Sequence, residues 1–175
     1  SAGFHFRKAM LKPFRTMRSM LAYQLQPPPM EEFTDYDEYW SKRGAPSVIY
    51  RRWQLAAAAM QPGGRVLDVG CGSTGFLTYL KQRRPDLALT GCDMSPAAVA
   101  RAREAGFDAF VHDIGLTPLP GTYDYITCFE VLEHIPHAEA AFRNLKTAFC
   151  KKLFVSIPNI GCLRCRTRLA LFSKF

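Results

Sequence analysis

The chain has 175 residues and a mass of 19.7 kDa, with 48% apolar and 22% charged residues. That is room for one ordinary globular domain with its own hydrophobic core. No run of about 18 apolar residues occurs, which excludes a membrane-spanning helix of the usual kind. The start of the chain also lacks the unbroken apolar core of a secretory signal, so a cytoplasmic setting is expected.

The net charge of +8 is unevenly spread. All 15 acidic residues lie between Glu31 and Glu139, whereas residues 1–30 carry five basic groups and residues 151–175 carry six. Basic ends on a mildly acidic body suit RNA, an anionic membrane surface or an acidic partner, and they equally suit solvated tails.

In chain order, residues 1–30 read as a basic arm and spacer, and residues 31–175 as one domain. Phe6, Met10, Phe14, Met17 and Leu21 form one helical stripe with basic residues elsewhere on the wheel, the pattern of an interfacial helix. Pro13 interrupts it, and packing on the protein's own surface explains the stripe as well. "QPPPM" at 26–30 is a stiff spacer. Helical patterns follow at 35–44 and 48–60, the second ending at Gln61-Pro62-Gly63-Gly64.

From there strand and helix alternate. Strands are expected at 65–69, 87–92, 109–112, 123–129 and 152–157, and helices at 75–84, 96–105 and 137–149. Ser95 with Pro96 opens the second of these helices as N-cap and N1. Such alternation implies right-handed crossovers and a doubly wound, mostly parallel sheet of Rossmann-like type. Its ligands bind beyond the carboxyl ends of the strands, at the switch point. Of the six cysteines, Cys92 and Cys128 sit near the ends of apolar strand runs and Cys71 in a glycine turn, which argues for reduced thiols.

The glycine turn is "VLDVGCGSTGFL", residues 66–77. Gly70, Gly72 and Gly75 satisfy G-x-G-x-x-G after a strand, a pattern shared by many nucleotide binders. Asp68 narrows the choice. A carboxylate at the end of that strand repels a pyrophosphate and welcomes a cation, so S-adenosyl-L-methionine, with its sulfonium and ammonium, fits better than a nicotinamide dinucleotide. Asp93 after the second strand suits the ribose hydroxyls, and Asp113 after the third suits the adenine amino group.

These residues resemble the class I S-adenosylmethionine-dependent methyltransferases, in particular the ubiquinone-pathway O-methyltransferases. "VLDVGCGSTG" resembles the first motif, "GCDMS" the second-strand acid, "VHDI" the adenine-side acid, "YDYITCFEVLEHIP" the fourth strand and its turn, and "LFVSIPN" the fifth strand. The resemblance runs from about Arg65 to Asn159. It implies that Gly70, Cys71 and Gly72 cradle the methionine end, Asp93 and Met94 the ribose and adenine, Asp113 and Ile114 the adenine, and that Phe129 lines the pocket. The family's fold closes with a C-terminal strand hairpin. Only 16 residues follow Asn159, so the expectation is a sheet truncated there, its open edge available to an oligomer partner.

His134, in "EVLEHIP", is the candidate base, since its ordinary pKa lies near neutrality, and the expected reaction is methyl transfer to a small-molecule acceptor. It also reads as a packing or capping residue of the turn. Glu130, Glu133 and His134 resemble the metal ligands of small-RNA 2′-O-methyltransferases as well, an alternative with RNA as substrate. A non-catalytic binding module on the same fold is a third reading. Arg51 or Arg52 is placed to meet the methionine carboxylate, and Cys162 with Cys165 alone makes no zinc site.

Overall fold

The computed structural model describes residues 48–158. The basic arm, the spacer, the helical pattern at 35–44, the domain boundary at 31 and the Cys162/Cys165 segment lie outside the described residues.

Helix α1, Arg51–Ala59, precedes a Rossmann-like alternation. The order is β1 Arg65–Val69, α2 Gly75–Arg83, β2 Ala88–Asp93, α3 Pro96–Glu104, β3 Asp108–Val111, β4 Tyr123–Phe129, a 3-10 turn Leu132–His134, α4 Ala138–Ala148 and β5 Phe149–Ser156. The sheet order is β3-β2-β1-β4-β5 and every described strand pair is parallel. The chain therefore winds one way from β1 to β3 and the other way through β4 and β5, with the switch between β1 and β4.

Two cores sandwich the sheet, which is why its central strands read as near-continuous apolar runs. On one face Leu67, Val69, Cys92, Ile126 and Cys128 pack with Ala141, Leu145 and Ala148 of α4. On the other, Val66 and Tyr125 pack with Trp53, Ala56 and Ala57 of α1 and Phe76 and Leu80 of α2. Trp53 meets Phe76 and Tyr79 at ring-centroid distances of 5.8 and 5.9 Å, which docks α1 on α2. Helix α3 starts as its sequence implies: the Ser95 side chain accepts a hydrogen bond from Ala98 N (3.1 Å), with Pro96 at its first position.

Boundaries differ in two instructive places. β2 extends to Asp93, because Asp93 stays in register with Val111 of β3. β5 begins at Phe149, not at 152, and α4 stops at Ala148 with no turn between them. Phe149 pairs with Tyr123 but Lys152 with Tyr125, so β5 carries one extra residue there, a bulge. Cys150, Lys151 and Lys152 show no apolar alternation, so nothing in their pattern marks them as strand.

Helix α4 faces the sheet along Ala141, Leu145 and Ala148, while Phe142 is 43% exposed. Leu145→Ala should cost about 2–5 kcal/mol because it leaves a cavity, and Phe142→Ala under about 1 kcal/mol. Urea midpoints of the two variants check the pair.

Candidate functional site

The glycine turn owes its shape to its backbone. Gly70, Gly72 and Thr74 all adopt left-handed φ, at 72°, 46° and 64°. Gly70 N and Cys71 N both donate to Cys92 O (2.8 and 3.0 Å), and Gly72 N donates to Asp93 Oδ2 (3.0 Å). The turn is thus stitched onto the end of β2. A Cβ at Gly70 would run into Val131 Cγ2, so this position requires glycine by both φ and space. Gly75 opens α2 behind the turn.

Two carboxylates lie buried beneath it. Asp68 sits between Gly91 of β2 and Thr127 of β4 in the sheet register, and Thr127 Oγ1 donates to its Oδ1 at 2.6 Å. Burial pushes Asp68 up to about 7 from an ordinary 3.8; the Thr127 hydrogen bond opposes this and the nearby Asp93 charge adds to it. Asp93 is 5% exposed, and it accepts from Gly72 N through one oxygen and from Ser95 N through the other, both at 3.0 Å.

The remaining candidates spread along the carboxyl edge. Cys71 is buried over Gly91, where a Cβ would stand 3.0 Å from its sulfur. Burial and the two aspartates push its thiol up, and burial first, then Asp68 and Glu133, push Cys128 up to about 12. These thiols stay protonated and act as small apolar side chains. Met94 is 48% exposed beside Asp93. Asp113 caps its own turn, accepting from Gly115 N at 2.8 Å. Ile114 is 4% exposed: its side chain packs in the core under α4, and its carbonyl accepts from Asn144 Nδ2 at 2.8 Å. Phe129 ends β4, edge-on to Phe76 at 5.1 Å.

The turn after β4 gathers Glu130, Glu133 and His134. Glu130 has φ 57°, its N–H donates to Ser156 O, and its carboxylate accepts from Ser156 Oγ at 2.8 Å. Burial raises the Glu133 carboxyl above its usual range, with His134 and Arg52 opposing. His134 is about half exposed, 3.9 Å from Glu133. Among the described residues no three His, Cys, Asp or Glu side chains converge as a metal-ligand set. Among the described residues the Glu130 carboxylate is held by Ser156, while Glu133 faces His134.

Sequence reasoning missed two contributors. Thr127 and Gly91 flank Asp68, and both read as ordinary strand residues; an isolated strand glycine is the one signal available. Of the two arginines offered for the methionine carboxylate, Arg52 stacks its guanidinium over Tyr50 at 4.2 Å, and its buried Nε has no hydrogen-bond partner.

A family model described as a methyltransferase domain matches residues 39–168. The chain belongs to this family. Its five-stranded parallel sheet flanked by helices is that of the class I S-adenosylmethionine-dependent methyltransferases. The methyltransferase domain is 36% identical over 98 residues to a ubiquinone biosynthesis O-methyltransferase of Xanthomonas campestris, a match covering 51% of this chain and 40% of that protein. The chain thus spans less than half the length of that relative. Coclaurine N-methyltransferase, solved with N-methylheliamine and SAH, superposes with a TM-score of 0.55 at 19% identity, over 86% of this chain and 52% of that one. The [4+2]-cyclase SpnF superposes with a TM-score of 0.52 at 26% identity, over 60% and 43%. No described helix is long and apolar enough to cross a membrane.

Because Asp68 titrates near 7 in the folded chain and near 3.8 otherwise, the folded state holds its proton more tightly. That contribution to stability is complete below about pH 4 and is lost as pH rises through about 7. Asp68→Asn should therefore gain on the wild type by up to about 1.4 kcal/mol per pH unit between pH 5 and 7, levelling off above. Urea unfolding across that range tests it, and equal slopes for both proteins would refute it.

Gly70→Ala should destabilise by more than about 1 kcal/mol, since it adds a strained φ to a clash with Val131. A Gly70→Ala/Val131→Ala double variant should recover only the steric part in a thermal melt.

Proposed function

We propose that this methyltransferase domain binds S-adenosyl-L-methionine over the carboxyl ends of β1, β2 and β4 and transfers its methyl group to a small-molecule acceptor. The observation that carries this is the buried pair Asp68 and Asp93 under a left-handed glycine turn. A buried carboxylate held near neutrality gains from a cation and loses beside a phosphate, so the donor set fits a sulfonium nucleoside with an ammonium group. The orphaned Nε of Arg52 adds a cationic fork for the carboxylate of the methionine end.

S-Adenosylmethionine supplies an electrophilic methyl group on a good leaving group, so the protein has mainly to align and deprotonate. In this reading the main chain of Gly70, Cys71, Gly72 and Gly75 cradles the methionine end. Asp93 holds the ribose, Met94 and Phe129 cover the nucleoside, and Asp113 with the main-chain N–H of Ile114 reads the adenine. His134 takes the acceptor's proton at the exposed mouth. The small-molecule character of the acceptor is supported by the ubiquinone biosynthesis relative and by the N-methylheliamine seen in the coclaurine enzyme. A neighbour described as a cyclase shares the fold, so the reaction has to be established at the site itself.

Calorimetric titration with S-adenosylhomocysteine should give binding where NADH gives none. Asp93→Ala should weaken it at least about tenfold, since it removes a charged acceptor and leaves two buried N–H groups unpaired. A folded wild type that binds neither ligand would sink the proposal in favour of a scaffold role. Given a responsive acceptor, His134→Asn should lower kcat about a hundredfold with unchanged S-adenosylhomocysteine affinity.

A further inference from the structure

Helix α1 carries Arg52 near its start, yet it has no basic residue in its own last turn to satisfy its final carbonyls. Arg84, the residue that caps α2, reaches three carbonyls at this end from outside, and Lys152 Nζ donates to Ala59 O at 3.0 Å. Arg84 Nη1 donates to Ala57 O (2.6 Å) and Met60 O (2.9 Å), and its Nη2 to Gln61 O (3.0 Å). The same guanidinium is bidentate to Asp86, with Nε to Oδ1 and Nη2 to Oδ2 both at 2.8 Å. Asp86 in turn accepts from Gly63 N at 3.1 Å, just past the helix. All five N–H donors of the fork are thereby used in fixed directions. An ion pair this exposed adds little stability, so the consequence of the arrangement is geometric.

Orientation at this end carries to the other. Arg52 and Ala57 are separated by about 7–8 Å along a rigid helix. The start of α1 has no side-chain cap; Trp53 packs one face of the helix on Phe76 and Tyr79, and the carbonyl fork at the far end is its polar anchor. We propose that Arg84, held by Asp86, is a positioning residue that sets the rotation and height of α1 and thereby places the Arg52 guanidinium at the mouth of the site. This rests on the reading that Arg52 receives the carboxylate of the methionine end.

The test compares two ligands on the full chain. S-Adenosylhomocysteine has that carboxylate, and 5′-deoxy-5′-methylthioadenosine keeps the adenosine and thioether without it. Arg52→Ala should cost about tenfold on the first and under twofold on the second. Arg84→Ala and Arg84→Lys should show the same selective loss, about fivefold or more, because a lysine cannot satisfy the fork. The Arg52→Ala/Arg84→Ala double variant should bind no worse than Arg52→Ala alone. A merely structural Arg84 would weaken both ligands alike, or add its loss to that of Arg52, and either result overturns the proposal. If Arg84→Ala does not fold, Asp86→Asn makes the same comparison, with methylthioadenosine binding as the report of an intact pocket. A wild type that binds neither ligand defeats the cofactor reading, and this inference falls with it. A wild type that binds both, with unselective variants, defeats this inference alone.

Discussion

A carboxylate taken out of water in the middle of a sheet is the constraint on which the rest of this structure turns. Asp68 is flanked in register by Gly91 and Thr127. The glycine adds no side chain beside the acid and leaves room for Cys71 to lie on the sheet. The threonine gives the acid its short hydrogen bond. Without them the charge would be both buried and unpaired, which costs several kcal/mol. The glycine turn and Asp93 complete the arrangement. Cys92 O and the Asp93 carboxylate hold three consecutive turn amides, and the second acid sits within electrostatic range of the first. The strand ends, the turn and the electrostatics of the site are one construction.

Much of this was legible because the signals are local and periodic. Runs of β-branched and apolar residues between helical stretches marked all five strands and their order of appearance. Ser95-Pro96 marked the start of α3 through its capping chemistry. Asp68, Asp93 and Asp113 were visible because an acid at a strand end is chemically conspicuous. What remained hidden depends on partners far away in sequence. Ile114 reads as a plausible adenine neighbour until the packing of α4 claims its side chain. The Glu130–Glu133–His134 spacing does not reveal that the Glu130 carboxylate accepts from Ser156, 26 residues on. Phe149–Lys151 enters a strand because β4 pairs with it through a bulge, although its own pattern is not strand-like.

Arg84 illustrates the same limit on a longer scale. In the sequence it is one more basic residue between Arg83 and a proline. In the fold its five donors link the ends of α1 and α2, a relation that exists only once Trp53 has brought the two helices together over Phe76. Helix α1 is short, and short helices owe their stability to tertiary contacts more than to propensity. An external cap is therefore a direct way to fix where such a helix ends.

The two halves of the site rest on different supports. The glycine turn and its acids are backed by strands buried on both faces, so their geometry is shared with any chain that keeps the core. The turn after β4 has no buried residue of its own in its 3-10 segment. It is held by main-chain bonds to Ser156 and within itself. Val131, Leu132 and Ile135 tie it to the core, while His134 stands about half exposed, so substitution at His134 need not disturb the sheet. In the proposed reading, the cofactor meets the part of the site backed by the sheet, and the acceptor the turn beyond it.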